Sequence, residues 1–494
     1  MKTKILSFLF FCMVNHLTAV SPLTEEIDLL ANHALKEFKV PGVAIAIVVD
    51  DQIHFARGYG TRKLDEALPV TAETLFPIAS CTKAFTATLL GQLVDEGKVA
   101  WDDPVKKYIP EFALQDPALG QQVTIRDLLA HRSGVIRHDA IWIASEIPRT
   151  SILELIQHLD PGSTFRKEFQ YNNFLYAVAG IVVERVTGQS WEKAVTTRLL
   201  MPLEMKASSV LLKQLQISLD YSYPHAIMDG KLQTISFLNT YSVNPGSGII
   251  SNVLDMANWI RLQLSDGKFL DRMVIQPTTL AETHSIQIPL SPPKVNNEVS
   301  QHGYGLGWYV AQYRGHTVIH HGGTTEGFAS EVALLPESNM GVVILTNSSS
   351  DGHYIANCLR NHILDAFLGL STIDWVTEIQ KGRMVAKQAL QSALDGLEKI
   401  KVPSKTDLSS YVGTYEAPGY GLLQISLQEG QLYFAYGKIK MPLYFKEGDT
   451  FSGKTRFLEL YGINPVMDVT FHHNKVEVPF EGFRGFKPIT FIRK

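Results

Sequence analysis

The stretch Phe76-Pro77-Ile78-Ala79-Ser80-Cys81-Thr82-Lys83 constrains this chain more than any other. Pro77 cannot sit inside a helix, so a helix is expected to begin just after it. Phe85, Leu89 and Leu93 then recur at four-residue steps, which predicts one buried helical face. Glu96-Gly97-Lys98 supplies a glycine stop. Ser80 and Lys83 are three apart, so at a helix start their side chains share a face. A lysine in an apolar pocket loses its proton more readily than one in water and can then take a hydroxyl proton. Backbone N–H groups at the helix start can receive a developing negative charge. Taken alone, the pair equally describes a helix-start serine beside a solvated lysine.

Two other stretches repeat the spacing, Ser190-Trp191-Glu192-Lys193 and Ser291-Pro292-Pro293-Lys294. The double proline forbids a helix in the second. Ser190 follows Gly188-Gln189 and reads as an N-cap. Tyr171-Asn172-Asn173 is the only Tyr-x-Asn among 18 tyrosines. A phenol in a cationic pocket can relay protons to and from a nearby hydroxyl, and an amide two residues on can orient a carbonyl. The plainer reading is a turn tyrosine followed by a capping asparagine.

The N-terminus reads Met1-Lys2-Thr3-Lys4, then an apolar run from Ile5 to Val14, then Leu17-Thr18-Ala19. That pattern predicts a secretory signal peptide over residues 1–19, too short for an ordinary membrane span. A secreted or periplasmic protein with no membrane span after cleavage is expected. Removal of Lys2 and Lys4 takes the net charge from −4 to −6. With no basic run besides, nucleic acid is not an expected partner. Three cysteines are too few for a disulfide framework, and Cys12 would leave with the signal.

Gly42–Val49 and Ile53–Gly60, joined at Asp50-Asp51-Gln52, read as a hairpin. Helical pattern dominates from Ile152 to Met205, and Ile286 to His302 reads as a long exposed loop. Strands are expected again at Tyr304–Val310, Thr317–Thr324, Ser330–Leu335 and Gly341–Thr346. Beta at the front, helices in the middle and beta at the back suggest one sheet built from both ends of a domain. After an amphipathic helical stretch and Pro403, short strands from Tyr411 onward suggest a separate small β domain, open or barrel-like. It holds no visible nucleophile–base pair and is expected to modulate rather than perform chemistry.

Ser80-Cys81-Thr82-Lys83, Tyr171-Asn172-Asn173 and His321-Gly322-Gly323 stand in the order seen in serine β-lactamases and penicillin-binding proteins. The chain resembles the class C-like branch of that superfamily, which includes esterases and D-amino-acid peptidases. Secondary matches are Leu128-Leu129-Ala130-His131-Arg132-Ser133-Gly134, Pro245-Gly246-Ser247-Gly248, Tyr304-Gly305-Leu306-Gly307-Trp308 and Gly327-Phe328. The resemblance implies an α+β fold, a β-lactamase-like antiparallel sheet flanked by helices with a helical subdomain. Its expected layout is a hydrolase domain over 20–370, a helical linker over 371–404 and the small β domain over 405–494. It implies a serine hydrolase with no cofactor and no metal, acting on small molecules or peptides, with peptidoglycan as one candidate partner. By position, Ser80 would be acylated, Lys83 and Tyr171 would move the proton, and Asn173 would hold substrate. His321 and Gly323 would line the substrate site, with the backbone N–H groups of Ser80 and Thr324 as oxyanion hole. Many β-lactamases carry lysine where His321 stands, so weak or absent β-lactam turnover is expected.

A second reading is a catalytically silent protein that keeps this fold to bind peptidoglycan or a protein partner. The joint presence of Ser80, Lys83 and Tyr171 argues against it. A metal hydrolase using His131, His138, His320 or His321 lacks the usual paired-histidine array. Ser80→Ala is expected to abolish labelling by a fluorophosphonate probe, while Ser190→Ala and Cys81→Ala retain it. A labelled peptide modified at Cys81 and not at Ser80 would overturn the assignment.

Overall fold

Strand β1, Gly42–Val49, is buried along its whole length because both faces of its sheet are covered. The computed structural model describes residues 23–144, 147–159, 161–228, 230–239, 241–290, 298–397, 407–455, 466–480 and 488–494. The expected signal segment, residues 1–19, lies outside the described residues, as does the end of the expected linker, 398–404.

β1 pairs with β2 (Gln52–Gly60) as the expected hairpin. The other strands of the sheet come from the far end of the hydrolase part. They are β3 (Ile288–Pro289), β4 (Val299–Tyr304), β5 (Tyr309–Tyr313), β6 (His316–Thr325), β7 (Phe328–Leu335) and β8 (Met340–Thr346). The order is β2-β1-β8-β7-β6-β5-β4-β3, and every pairing is antiparallel. The architecture is α+β, with the sheet built from both ends of the domain as the pattern suggested. The exposed loop expected from Ile286 to His302 instead begins and ends in the edge strands β3 and β4. Its polar composition hid them, because an edge strand needs only one apolar row.

Side chains alternate across β1. Ala44, Ala46 and Val48 join the core on the face that carries α2 (Thr82–Asp95). Val43, Ile45 and Ile47 face α1 (residues 23–38) and α6 (Gly352–Leu368). The helix expected to bury one face is buried nearly all round: Thr82, Thr86 and Thr88 are as inaccessible as Phe85 and Leu89. Two threonine hydroxyls make this tolerable. Thr86 Oγ1 donates to Pro245 O at 2.6 Å, and Thr82 Oγ1 accepts from Ile249 N–H at 3.1 Å. Phe85 stacks on Trp259 of α5 (Val253–Leu264), ring centres 3.6 Å apart.

The C-terminal part is a closed barrel of eight antiparallel strands, sealed by pairing of Gly413–Ala417 with Ile489–Arg493. Its strands Ile439–Glu447, Thr450–Lys454 and Lys475–Val478 were not expected. Pro442 and the surrounding charges mask the inward row Ile439, Met441, Leu443. Barrel and hydrolase part share one apolar core.

Gly307 has φ +82°, and a Cβ built on it would stand 2.9 Å from Ala84 N and Cα and from Lys83 O. The β4–β5 connection therefore rests directly on the first turn of α2. Gly307→Ala is expected to lower unfolding free energy in urea by about 2–4 kcal/mol, summing backbone strain and backbone overlap. It should also slow labelling of Ser80. Wild-type values on both counts would contradict this packing.

Candidate active site

Ser80 sits in a single 3-10 turn, Ala79–Cys81, that leads into α2. Phe76–Pro77 ahead of it is pinned by pairing with Ile250–Ser251. Ala79 has φ +45°, a costly conformation for a residue with a Cβ, and it aims the next side chain out of the turn. Ser80 is half-buried and Lys83 has no exposed surface. Lys83 Nζ lies 3.1 Å from Ser80 Oγ, 2.7 Å from Asn173 Oδ1 and 2.9 Å from Gly246 O. The rings of Tyr171 and Tyr176 wall it in, centres 4.6 and 5.2 Å away. Burial drives its pKa well below the ordinary lysine value; Asp139 pulls the other way and Arg137 adds to the drop.

Tyr171 O–H donates to Ser80 Oγ at 2.7 Å, and burial holds the phenol pKa well above 10. The two asparagines that follow divide the work. Asn172 caps α4 (Asn173–Thr187), its side chain accepting from Leu175 N–H. Asn173 was expected to hold substrate. Both ends of its amide are engaged within the protein: Oδ1 accepts from Lys83, and Nδ2 donates to the Asp139 carboxylate at 2.9–3.0 Å.

His321, Gly323 and Thr324 lie on β6. Pairing with β5 ends at the Tyr309–His320 rung, so the strand from His321 onward has one edge without a β5 partner. A Cβ on Gly323 would stand 2.9 Å from Ser80 N, so only glycine lets the strand pass this close to the serine turn. Thr324 is exposed beside it. His321 is buried, and both ring nitrogens are taken. Nδ1 faces Gly322 O at 2.6 Å and must donate, so Nε2 accepts from Tyr304 O–H at 2.9 Å. Burial, reinforced by the Lys83 charge, depresses its pKa to about 3. The neutral imidazole inferred from residue type is thus enforced, but it was expected to be available to substrate and is not.

Ser80, Tyr171, Thr324 and Arg137 open onto one cavity of about 840 Å³. Arg137 is the cation of this cavity that sequence reasoning missed; Arg132 and Arg314, considered for that part, are bound to Asp127 and Asp365. Arg137 pairs with Asp139 and lies 5.3 Å from the Tyr171 ring centre. No local pattern distinguishes Arg137 or Asp139, since both matter only through Tyr171 and Asn173. The other histidines have separate surroundings. His131 accepts from Asn172 N–H, His138 meets Tyr420 of the barrel, and His320 pairs with Glu331 on the opposite face of the sheet. Among the described residues no cluster could hold a metal ion.

The family model described as Beta-lactamase matches residues 27–364, and the chain belongs to that family. It is a serine hydrolase of β-lactamase fold. A model for a domain of unknown function (DUF3471) matches residues 398–479, most of the barrel. The chain is 28% identical over 446 residues to Unguisins hydrolase ungD of Aspergillus violaceofuscus, covering 84% of this chain and 78% of that protein. The octameric penicillin-binding protein homologue from Pyrococcus abyssi superposes with a TM-score of 0.65 at 22% identity, covering 95% of this chain and 100% of that one. SurE with D-Leu gives 0.55 at 20% identity, covering 95% and 99%. These two likenesses show the fold.

His321 titrates near 6.5 when unfolded and about 3 when folded, so the folded chain binds fewer protons. Its contribution to stability is complete above pH 6.5 and is lost as pH falls towards 3, a span on the order of 5 kcal/mol. Glu331, depressed to about 2 by Arg360 and His320, acts in the same direction below pH 4.5. His321→Gln, which cannot protonate, is expected to flatten the fall of unfolding free energy between pH 6.5 and 4.5 by up to about one proton. An unchanged slope would show that His321 is not held neutral.

Proposed function

We propose that Ser80 forms an acyl-enzyme with small esters, amides or D-amino-acid peptides, Lys83 acting as base and Tyr171 as acid. The observation that carries this reading is the double contact of Ser80 Oγ, with Lys83 Nζ at 3.1 Å and Tyr171 OH at 2.7 Å. A desolvated amine reaches the neutral form at ordinary pH. It then donates to Asn173 Oδ1 and Gly246 O and keeps one lone pair for the Ser80 proton. Tyr171, held protonated, donates to Oγ and stands ready to protonate the leaving group. Acylation joins Oγ to the substrate acyl carbon and releases the alcohol or amine. Water then cleaves the ester, with Lys83 again taking a proton. The backbone N–H groups of Ser80 and Thr324 would receive the oxyanion.

The free edge of β6 favours substrates with a peptide-like backbone, which can add to it as a strand. The names of two similar proteins, an unguisins hydrolase and SurE with D-Leu, support hydrolysis of peptides containing D-residues. Peptidoglycan peptides are one source of such substrates. The basic and apolar N-terminal segment supports an exported enzyme, secreted or periplasmic.

β-Lactams are poor substrates in this reading. Their carboxylate finds a neutral His321 with occupied nitrogens, and Arg137 is already paired with Asp139. A full charge pair at ~4 Å is worth roughly 4 kcal/mol at an effective dielectric near 20. Losing half of it lowers discrimination by roughly one to two powers of ten. Intact mass after exposure to p-nitrophenyl esters, D-amino-acid peptides and nitrocefin is expected to reveal an adduct on Ser80 with the first two. kcat/KM for a short-chain ester should exceed that for nitrocefin by about tenfold or more. Equal values would overturn the specificity, and absence of any adduct would overturn the mechanism.

A further inference from the structure

We propose that Tyr420 of the barrel is a positioning residue for hydrolysis, acting through His138 on the Arg137–Asp139 turn beside Lys83. The inference rests on the acyl-enzyme reading above and gives the C-terminal domain a task within it.

Two barrel turns grip the two ends of helix α3, Asp139–Ala144, all six residues of which are buried. The turn between strands Gly413–Ala417 and Gly421–Gln428 carries Gly419 and Tyr420. Gly419 has φ +79°, and a Cβ there would stand 2.9 Å from His158 Cβ. Only glycine admits so close an approach. Tyr420 follows, nearly buried, with its hydroxyl hydrogen-bonded to Nδ1 of buried His138. The turn between Gln431–Tyr436 and Ile439–Glu447 grips the other end. Lys438 N–H donates to Ala144 O at 2.8 Å, and a Cβ on Gly437 would overlap that same carbonyl.

His138 lies between the two charged residues nearest the reacting groups. Asp139 accepts from Trp142 Nε1 at 2.7 Å and from both contacts of Asn173 Nδ2. Asn173 Oδ1 in turn holds Lys83 Nζ at 2.7 Å. Arg137, on the other side, lies over the Tyr171 ring and lines the cavity with Ser80. From the barrel hydroxyl to the amine there are thus three side-chain hydrogen bonds and one peptide link. Each is short-ranged, so a small displacement of the turn changes the Asn173 amide that orients Lys83. The barrel supplies no reacting group by this route; it fixes where the reacting groups stand.

The test uses the full chain. Tyr420→Phe keeps the ring on its neighbours Phe480 and Phe491 and removes only the hydroxyl. It is expected to lower kcat for a p-nitrophenyl ester about tenfold, the scale of one hydrogen bond, with KM within about twofold. His138→Asn, whose Oδ1 stands in for Nδ1, should keep most of kcat, while His138→Leu should match Tyr420→Phe. Asp139→Asn should cost about a hundredfold by leaving Arg137 without its carboxylate, and adding Tyr420→Phe to it should cost nothing further. Wild-type kcat for Tyr420→Phe, equal losses for both His138 variants, or losses that multiply in the double variant would each overturn the proposal. A wild-type chain that forms no Ser80 adduct overturns the acyl-enzyme reading and this inference with it, an outcome distinct from the others.

Discussion

An amine with no exposed surface has to find acceptors for its hydrogens inside the protein, and that constraint on Lys83 arranges the centre of this molecule. Its three partners come from separate parts of the chain: Ser80 one turn back, Asn173 at the start of α4, and Gly246 O from a short helical turn. A Cβ on Gly246 would stand only 3.3 Å from Nζ, so the backbone closes in where a side chain would not fit. Burial lowers the amine's proton affinity, and Asp139, acting at one remove through Asn173, limits how far. The same site therefore sets both the position and the protonation of the base.

The sheet provides the opposite wall. β6 runs past the serine turn at Gly323 and loses its β5 partner after His320, which exposes backbone groups beside Ser80. Alternation along β6 separates two neighbouring histidines. His321 faces the serine side with Tyr304, while His320 turns to Glu331 and Arg360 on the other face. One residue of register decides which histidine meets the cavity's reacting end. The barrel completes the frame from outside by gripping α3 at both ends.

Much of this was legible in the chain. Ser190 was read as an N-cap, and its Oγ accepts from Lys193 N–H. Asn172 caps a helix as the plainer reading of its motif required, while Asn173 serves the lysine. The hairpin at Asp50-Asp51 and the strands after Tyr304 followed from period and turn chemistry. What escaped has a common character. Edge strands β3 and β4, three barrel strands, Arg137 and Asp139 carry weak local signals and acquire their meaning from a partner far away in the chain.

The sequence by itself determined which side chains share a helix face, where turns and caps fall, and the order of the three motifs. Those features depend on backbone geometry over a few residues, so spacing encodes them. Only the tertiary structure decided the state of each group. Lys83 and His321 lose proton affinity because distant segments exclude water from them. The amide of Asn173 is committed because Asp139 stands behind it. Desolvation and hydrogen-bond partnership are properties of the packed interior, and no local pattern carries them.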